Sequence, residues 1–190
     1  MLGREGPIGD DYRRPAMRAV VQRVLRAQVR VADQVIGAIG PGLCVFVGVT
    51  HADTVEEARK LASKLWHLRV MDDEAGVMNR AVADGSRALL VVSQFTLYGD
   101  TAAGRRPSWM AAARPEQAAP LVEEVVQALR GLGAEVATGR FRAEMEVELV
   151  NDGPVTVLVE VNPAPAPPGS PPVRAVGRAG GATASPSQQQ

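Results

Sequence analysis

The chain has 190 residues, of which 46% are hydrophobic and 22% charged, and these values are typical of one globular domain. Basic and acidic residues balance at 21 each, which argues against the overall basic field that attracts nucleic acid. The single cysteine, Cys44, excludes a disulfide framework, and no apolar run reaches the roughly 18 residues of a membrane helix. We therefore expect a cytoplasmic protein with no membrane segment and no export leader.

Both ends of the chain differ in composition from its centre. Residues 1–16 contain several turn-forming residues without periodicity, and residues 162–190 are rich in Pro, Ala, Gly and Ser. Such segments bury too little apolar surface to offset their chain entropy. We predict two disordered extensions around one domain at 17–161, with Met17 as a candidate start site. That domain holds 16 basic and 18 acidic residues, so any RNA contact needs a local basic patch.

Strand signals dominate the predicted domain. Valine-rich, alternating runs predict half-buried strands, and nearly uniform apolar runs predict central strands that are buried on both faces. The predicted strands span 19–25, 27–31, 35–39, 43–49, 88–97, 135–138, 146–150 and 155–161. In the seventh, Met145, Val147 and Leu149 share one face, and three glutamates share the other.

Two helices interrupt these strands. Thr54 and Glu57 have capping-box spacing, and apolar residues then recur every three or four positions until about 71–73. The second helix lies within 115–130, where Pro115 suits a first turn but Pro120 predicts a distorted first turn or a start near Ala119. Strands with two helices predict an α+β fold, a mixed and mostly antiparallel sheet or partial barrel with the helices on one side.

The stretch Gly153-Pro154 separates the last two predicted strands. Gly153 can adopt dihedral angles that are closed to other residues, and Pro154 fixes its own φ and donates no N–H. Such a dipeptide offers backbone carbonyls on a stiff chain. Taken alone, this stretch is more typical of an ordinary hairpin turn.

Residues with the usual catalytic spacing are missing from the sequence. His51 and His67 form no metal-binding motif, so we expect no metal and no cofactor. Ser93, Gln94, Phe95 and Thr96 end a predicted strand, but their hydroxyl groups have no evident activating base nearby in the sequence. By themselves these residues are typical of structural hydrogen bonding.

Two basic segments with aromatic neighbours are candidate contacts for a nucleic acid. They are Gly104-Arg105-Arg106, followed by Trp109, and Gly139-Arg140-Phe141-Arg142. Arginines bind phosphate, and the aromatic rings can stack on a base. Solvent-exposed arginines beside two core aromatics are the plainer interpretation. Arg23, in a valine-rich strand, would need an acceptor such as a backbone carbonyl if it is half-buried.

Taken together, these residues resemble the D-aminoacyl-tRNA deacylase family of the D-tyrosyl-tRNA deacylase type. The motifs run in the family's order from Met17 to Val161. They are Val21-Gln22-Arg23-Val24, Gly40-Pro41-Gly42-Leu43, Met78-Asn79, Val92-Ser93-Gln94-Phe95-Thr96-Leu97, Arg106-Pro107-Ser108, Thr138-Gly139-Arg140-Phe141 and Asn151-Asp152-Gly153-Pro154-Val155-Thr156. Tyr98-Gly99 depart from the small residues that are usual there, and Trp109 replaces a common phenylalanine.

The resemblance implies a homodimer that hydrolyses the ester between tRNA and a D-amino acid, or mischarged glycine. It implies a cis Gly153–Pro154 bond that enters the other subunit's pocket and faces Ser93–Thr96, with Arg23 orienting the dipeptide. Asn151 belongs to the same motif. Candidate contacts with the tRNA 3′ end are Arg106, Trp109, Phe141 and Met145, and no DNA partner is expected.

Two other functions compete with this one. The first is a nucleic-acid-binding protein on the same scaffold that has lost catalysis. The second is a small Ser/Thr hydrolase, which would cleave free esters without tRNA. The intact pair of motifs at 92–97 and 151–156 favours the deacylase, and a hydrolysis assay with D-Tyr-tRNA separates the three.

Overall fold

The computed structural model describes residues 16–162, and the elements named below lie in that range. The strands and helices are β1 (Met17–Val31), β2 (Gln34–Ile39), β3 (Gly42–Gly48), α1 (Val55–Trp66), β4 (Met71–Asp72), β5 (Met78–Arg80), β6 (Ala88–Ser93), α2 (Pro115–Gly131), β7 (Glu135–Thr138) and β8 (Glu146–Val161). The predictions for the terminal extensions concern residues outside this range, apart from Ala16 and Asn162. Neither α1 nor α2 is long and apolar enough to cross a bilayer.

One six-stranded mixed sheet organises the domain. Its order is β2-β1-β3-β6-β7, and β8 also pairs with β1. β1 is antiparallel to β2, β3 and β8, while β3–β6 and β6–β7 are parallel pairs. The helices α1 and α2 supply the crossovers that parallel pairs require. The predicted α+β fold with a mixed sheet and two main helices is confirmed.

The sheet curls until its two ends nearly meet. A Cβ placed on Gly37 in β2 would lie 2.6 Å from the carbonyl oxygen of Thr138 in β7. A side chain there would collide with backbone, so glycine permits the close approach. The curl gives the sheet the shape of a partial barrel.

Two apolar clusters fill the two faces of the sheet. The larger lies between the sheet and the helices and includes Val21, Val45, Leu61, Leu65, Leu89, Val125 and Leu129. The smaller lies inside the curl and includes Val24, Val29, Cys44 and Leu90, with Met145, Val147 and Leu149 packed against it. Burial raises the pKa of the Cys44 thiol to about 12, so it is a small hydrophobic residue, as predicted.

Helix α1 begins as predicted and ends earlier. The Thr54 hydroxyl accepts from the N–H of Glu56 at 3.2 Å, and the Glu57 carboxylate accepts from the Thr54 N–H at 3.0 Å, which completes the capping box. The predicted end near 71–73 is wrong, because the helix stops at Trp66. His67 caps it, with its Nδ1 lying 2.9 Å from the carbonyl oxygen of Ser63.

Three further boundaries differ from their predictions. β6 stops at Ser93, and Phe95–Tyr98 form a 3-10 turn in place of the predicted strand end. The strands predicted on either side of Gly153-Pro154 are one strand, β8, because β1 pairs with both halves. Helix α2 begins at Pro115 and contains Pro120 in its interior, so the alternative start near Ala119 is wrong.

Candidate active site

The chain changes direction where β6 ends. Gln94 leaves the strand after its N–H donates to the carbonyl oxygen of Val47 at 2.7 Å. The 3-10 turn that follows is closed by the N–H of Leu97, which donates to the Gln94 carbonyl at 3.3 Å. Within the described residues, the N–H groups of Phe95 and Thr96 have no protein acceptor. Both donors therefore remain available at the end of the central strand.

A cavity of about 620 Å³ opens beside this turn. Six residues of the sequence prediction line it: Ser93, Gln94, Phe95, Trp109, Phe141 and Met145. The other lining residues are Val47, Val49, Val92, Ala112, Ala113, Pro115, Ala118, Val122, Arg142, Ala143 and Val147. The cavity is mainly apolar, with polar groups concentrated at 93–94, and this composition is common in pockets for small organic groups.

Two aromatic rings form one edge of the cavity. Phe95 and Trp109 meet edge to face, with ring centroids 5.4 Å apart and an interplanar angle of 73°. Trp109 also covers Gly99, where a Cβ would lie 2.7 Å from the indole ring. Phe95 is 56% exposed and Trp109 41%, so both rings present open faces. Exposed aromatic faces of this kind can stack on a nucleobase.

The opposite edge comes from the segment between β7 and β8. Gly139 follows β7, and a Cβ there would lie 2.7 Å from the sulfur of Met145. The Ala143 N–H donates to the Arg140 carbonyl at 3.1 Å, and Arg142 has a φ of 62°. This tight turn brings Phe141 to the cavity together with Met145.

Thr96 and Arg106 do not line the cavity. The Thr96 hydroxyl accepts from the side-chain amide of Gln94, and no carboxylate or imidazole among the described residues hydrogen-bonds to it. Arg106 lies in an exposed loop that is closed by two backbone hydrogen bonds between Asp100 and Ser108, at 2.9 and 2.8 Å. Residues 16–162 thus supply no activating base that hydrogen-bonds to Thr96.

Tyr98 explains one departure from the family motif. Its ring occupies the space over Gly48, where a Cβ would lie 2.9 Å away. The phenol donates to the carbonyl oxygen of Ala16 at 2.6 Å and also lies 3.2 Å from that of Gly48. The guanidinium of Arg18 lies 4.7 Å from the ring centroid. These contacts fix the end of the 3-10 turn on the sheet, and the sequence analysis had not identified them.

Gly153 and Pro154 form a bulge in β8. The pairing of β1 and β8 passes from Gln22↔Thr156 to Val24↔Asn151, so Arg23 alone faces residues 152–155. The Gly153–Pro154 peptide bond is cis, and Gly153 has a φ of 114°. Both residues are exposed. The backbone of Gly153 and Pro154 is therefore accessible from outside the sheet.

Arg23 lies beside this bulge, and its side chain is buried and bonded to two backbone carbonyls, the kind of acceptor that the sequence predicted it to need. Its guanidinium is buried, yet Nε donates to the carbonyl oxygen of Asp152 at 3.3 Å and lies 3.2 Å from that residue's carboxylate. Nη1 donates to the Val70 carbonyl at 2.9 Å and to the Asp72 carboxylate at 3.0 Å. A buried cation with this many acceptors is held in one position.

Apart from Thr96 and Arg106, the predicted site residues fall into two groups within one chain. The 93–95 segment meets Trp109, Phe141 and Met145 at the cavity. Arg23, Asn151, Gly153 and Pro154 belong to the β1–β8 pair and do not line that cavity. Among the described residues there is no cluster of three His, Cys, Asp or Glu side chains suited to a metal ion.

Comparison with solved structures indicates the class of protein. A structure titled "Structural Analysis of a probable eukaryotic D-amino acid tRNA deacylase" shares the fold with a TM-score of 0.70 at 16% identity, over 77% of this chain and 100% of that one. Another, titled "c-Myc DNA Unwinding Element Binding Protein", has a TM-score of 0.71 at 39% identity, over 79% of this chain and 100% of that one. The fold is that of a class which includes a probable tRNA deacylase.

Sequence comparison then identifies the family. The D-aminoacyl-tRNA deacylase of Streptomyces coelicolor is 60% identical over 146 residues, which are 76% of this chain and 100% of that protein. Residues 20–160 match the family described as D-Tyr-tRNA(Tyr) deacylase. The chain belongs to this family and is an enzyme, which confirms the resemblance found in the motifs.

Proposed function

We propose that this enzyme hydrolyses the ester that joins a D-amino acid, or mischarged glycine, to the terminal adenosine of tRNA. Its products would be the free amino acid and intact tRNA. By removing wrongly attached amino acids, the enzyme would proofread translation in the cytoplasm. The observation that carries this proposal is the cavity, because free backbone donors at 95–96 lie beside aromatic surfaces at Trp109 and Phe141.

The reaction needs no nucleophilic side chain. Water adds to the ester carbonyl carbon, the bond from that carbon to the ribose oxygen breaks, and a proton passes to the ribose oxygen. The N–H groups of Phe95 and Thr96 would stabilise the oxyanion that forms, and removing one such donor typically costs about 3–4 kcal/mol. The neighbouring ribose 2′-hydroxyl would assist, since positioning is sufficient for an ester that is already activated.

The tRNA end would occupy the cavity through its terminal nucleoside. Trp109 and Phe141 offer ring faces for the base, and Met145, which packs against the inner cluster of the sheet, adds an apolar contact at the cavity. Arg106 lies outside the cavity in the exposed loop, where a guanidinium suits a phosphate of the preceding nucleotide. Slight acidity elsewhere in the domain favours such a local contact over general RNA binding.

Chirality would be read by the main chain of Gly153 and Pro154. A stiff wall placed where an L side chain must lie excludes the L-ester, and backbone carbonyls can accept from the substrate ammonium group. Arg23 supports the wall through Asp152, and Asn151 pairs with Val24 at the edge of the bulge. Glycine has no side chain to exclude, so glycyl-tRNA would also be cleaved.

A second copy of the chain would deliver this wall, because the bulge does not line its own cavity. An apolar row crosses β8, β1 and β3 at Leu158, Val20 and Phe46, which are neighbours in the strand register. Leu158 is 74% exposed, and exposed apolar rows are typical of protein contacts. A homodimer with two-fold symmetry would cover the row and give each cavity its partner's dipeptide.

Hydrolysis of D-Tyr-tRNA, glycyl-tRNA and L-Tyr-tRNA tests this proposal directly. We expect release of D-Tyr and glycine and no release of L-Tyr. L-Tyr release at a similar rate would refute reading of chirality by the Gly–Pro wall. No release from any of the three would refute the deacylase function itself.

The second candidate function is nucleic-acid binding without catalysis. It is favoured by the name of the 39% identical solved structure, "c-Myc DNA Unwinding Element Binding Protein". On this alternative the protein binds nucleic acid but leaves D-Tyr-tRNA intact. The free donors at 95–96 beside the cavity favour the deacylase.

A further inference from the structure

The turn between β3 and α1 is tied to two parts of the cavity wall. This turn comprises residues 50–53. Residues 111–113 and the first turn of α2 contact it from the other side, and they include the lining residues Ala112, Ala113 and Pro115. The turn is not itself part of the lining.

Thr50 makes the first connection. The residue is fully buried, and its hydroxyl donates to the carbonyl oxygen of Ala111 at 2.7 Å. An isolated antiparallel bridge joins Thr50 to Ala112, and the Ala113 N–H donates to the Val49 carbonyl at 2.9 Å. Residues 111–113 therefore extend the sheet by one short pairing. The Thr50 hydroxyl anchors Ala111, the first residue of this segment.

Asp53 braces Thr50 from within the turn. Its carboxylate accepts from the Thr50 N–H at 2.7 Å, and its own N–H donates to the Thr50 carbonyl at 3.2 Å. Asp53 is 4% exposed, so water does not compete for these bonds. These two hydrogen bonds close the turn internally, so its conformation is fixed by contacts other than those with the wall.

Helix α2 and Met110 are attached to the same turn. The side-chain amide of Gln117 donates to the carbonyl oxygens of His51 and Asp53, at 3.0 and 3.3 Å. Nε2 of His51 lies 3.0 Å from the Met110 carbonyl, and it must donate there because a carbonyl only accepts. One turn therefore holds residues 110–113 and the start of α2 in register with β3.

We infer that Thr50, braced by Asp53, is a positioning residue that sets the wall on which the terminal nucleoside of the substrate rests. The inference depends on the proposed function for the identity of that nucleoside. Trp109 immediately precedes the anchored segment, so release of Ala111 moves the indole away from Phe95. The reacting groups at 93–96 stay in place, because β6 holds them through Val47.

Thr50→Val tests this inference, since valine keeps the shape and removes the hydroxyl. We expect a KM for D-Tyr-tRNA about three- to tenfold higher, the usual effect of one net hydrogen bond, and an unchanged kcat. Thr50→Ser keeps the hydroxyl and should restore the KM. Thr54→Val is the matched control, because it removes two structural hydrogen bonds of a hydroxyl four residues away, with Glu56 and Glu57, that have no link to the wall.

A spectroscopic measurement separates this inference from the proposed function. The chain has two tryptophans, so Trp66→Phe leaves Trp109 as the single reporter. We expect acrylamide to quench Trp109 more strongly in Thr50→Val than in Thr54→Val or the parent. Equal quenching, or a KM that rises equally in Thr54→Val, overturns the inference. A parent protein that fails to cleave D-Tyr-tRNA would refute the function, while quenching would still decide the position of the wall.

If Thr50→Val does not fold, Gln117→Leu replaces it. This change removes the bonds from α2 to His51 and Asp53 and leaves the core of the sheet intact. The same rise in KM and in quenching is expected. An unchanged KM together with unchanged quenching in Gln117→Leu overturns the inference.

Discussion

Arg23 and Asp152 are joined twice, because one guanidinium nitrogen contacts both the backbone carbonyl of Asp152, at 3.3 Å, and its carboxylate, at 3.2 Å. The bond to the carbonyl acts on the main chain directly before Gly153. Since Arg23 is anchored at Val70 and Asp72 as well, the dipeptide is linked to the β4 region through a single side chain. We propose that the orientation of the dipeptide depends on this connection.

Arg23→Lys should therefore loosen the bulge while it keeps the positive charge beneath it. A lysine ammonium cannot reproduce the fork geometry, so at least one of the contacts at Val70, Asp72 and Asp152 is lost. We expect the free energy of unfolding to fall by about 1–3 kcal/mol and rejection of L-Tyr-tRNA to weaken. Denaturant unfolding and the ratio of D- to L-Tyr release measure these effects.

Arg26→Lys provides the matched control for Arg23. Arg26 is exposed, and its ion pair with Glu148 spans 3.9 Å, so its loss should change stability by less than about 0.5 kcal/mol. If Arg23→Lys behaves like Arg26→Lys in both measurements, Arg23 does not orient the dipeptide.

Gly153→Ala should disturb the dipeptide from the main chain. The φ of 114° is unfavourable for alanine, and the added Cβ would lie 2.9 Å from the Val155 side chain and 3.2 Å from the Arg23 guanidinium. We expect a loss of about 1–3 kcal/mol in stability and a lower ratio of D- to L-Tyr release.

Gly40→Ala is the control for this glycine, because a Cβ there meets nothing within 4 Å and its φ is not in the left-handed region. Its stability should stay within about 1 kcal/mol of the parent, and its chiral ratio should not change. A Gly153→Ala protein with normal discrimination would contradict a main-chain reader.

The oxyanion hypothesis makes a prediction about position 95. Phe95→Pro removes the N–H, and proline is tolerated in a first helical turn. Phe95→Ala removes the ring and keeps the N–H. We expect kcat to fall about 10²- to 10³-fold more in the proline variant than in the alanine variant. Equal kcat values for the two would show that this N–H does not stabilise the transition state.

Thr96→Ala should retain activity within about tenfold of the parent, since a group that only positions substrate contributes less than a nucleophile. Complete loss of hydrolysis in a folded variant, or an acyl-threonine detected by mass spectrometry, would establish Thr96 as the nucleophile.

A substrate ending in 2′-deoxyadenosine should be hydrolysed more slowly, and an unchanged rate would argue against assistance by the ribose.

The pH dependence of stability should carry the signature of Asp53. Burial is the largest cause that raises its pKa from 3.8 to about 6, and Glu57 adds to the rise. The folded protein therefore binds this proton more tightly than the unfolded chain. The resulting stabilisation is complete below about pH 4 and is lost as the pH rises through about 6. As the pH rises from 4 to 7, the free energy of unfolding of Asp53→Asn should therefore increase by roughly 2 kcal/mol relative to that of the parent.

Glu57→Gln should show the opposite trend. Burial by itself would raise the pKa of Glu57, but hydrogen bonds from the hydroxyl and N–H of Thr54 hold it below its ordinary value. Its stabilisation is present above the ordinary pKa and is lost as the pH falls through the folded value. Denaturant unfolding from pH 3 to 7 measures both variants, and parallel trends would contradict the assigned causes.

Local chemistry made part of the fold predictable. The capping box at Thr54 and Glu57 depends on residues three apart, so sequence spacing was enough to predict the start of α1. Its end was not predictable in this way, because Leu68 continues the apolar spacing beyond the cap formed by His67. Likewise, β6 stops at Ser93 although the apolar pattern runs on to Leu97, since the chain turns after Gln94 bonds to Val47.

By itself, the sequence determined the family and the identity of the motifs, because those depend on residue order along one chain. It also predicted the apolar face of β8 and the stiffness of Gly153-Pro154, which follow from alternation and covalent geometry. The tertiary structure decided that β8 is one strand, because the partner that pairs with both halves, β1, lies more than 100 residues away in the chain. It alone brought Thr50 to Ala111, since that contact depends on where two distant segments meet and leaves no periodic signal in either.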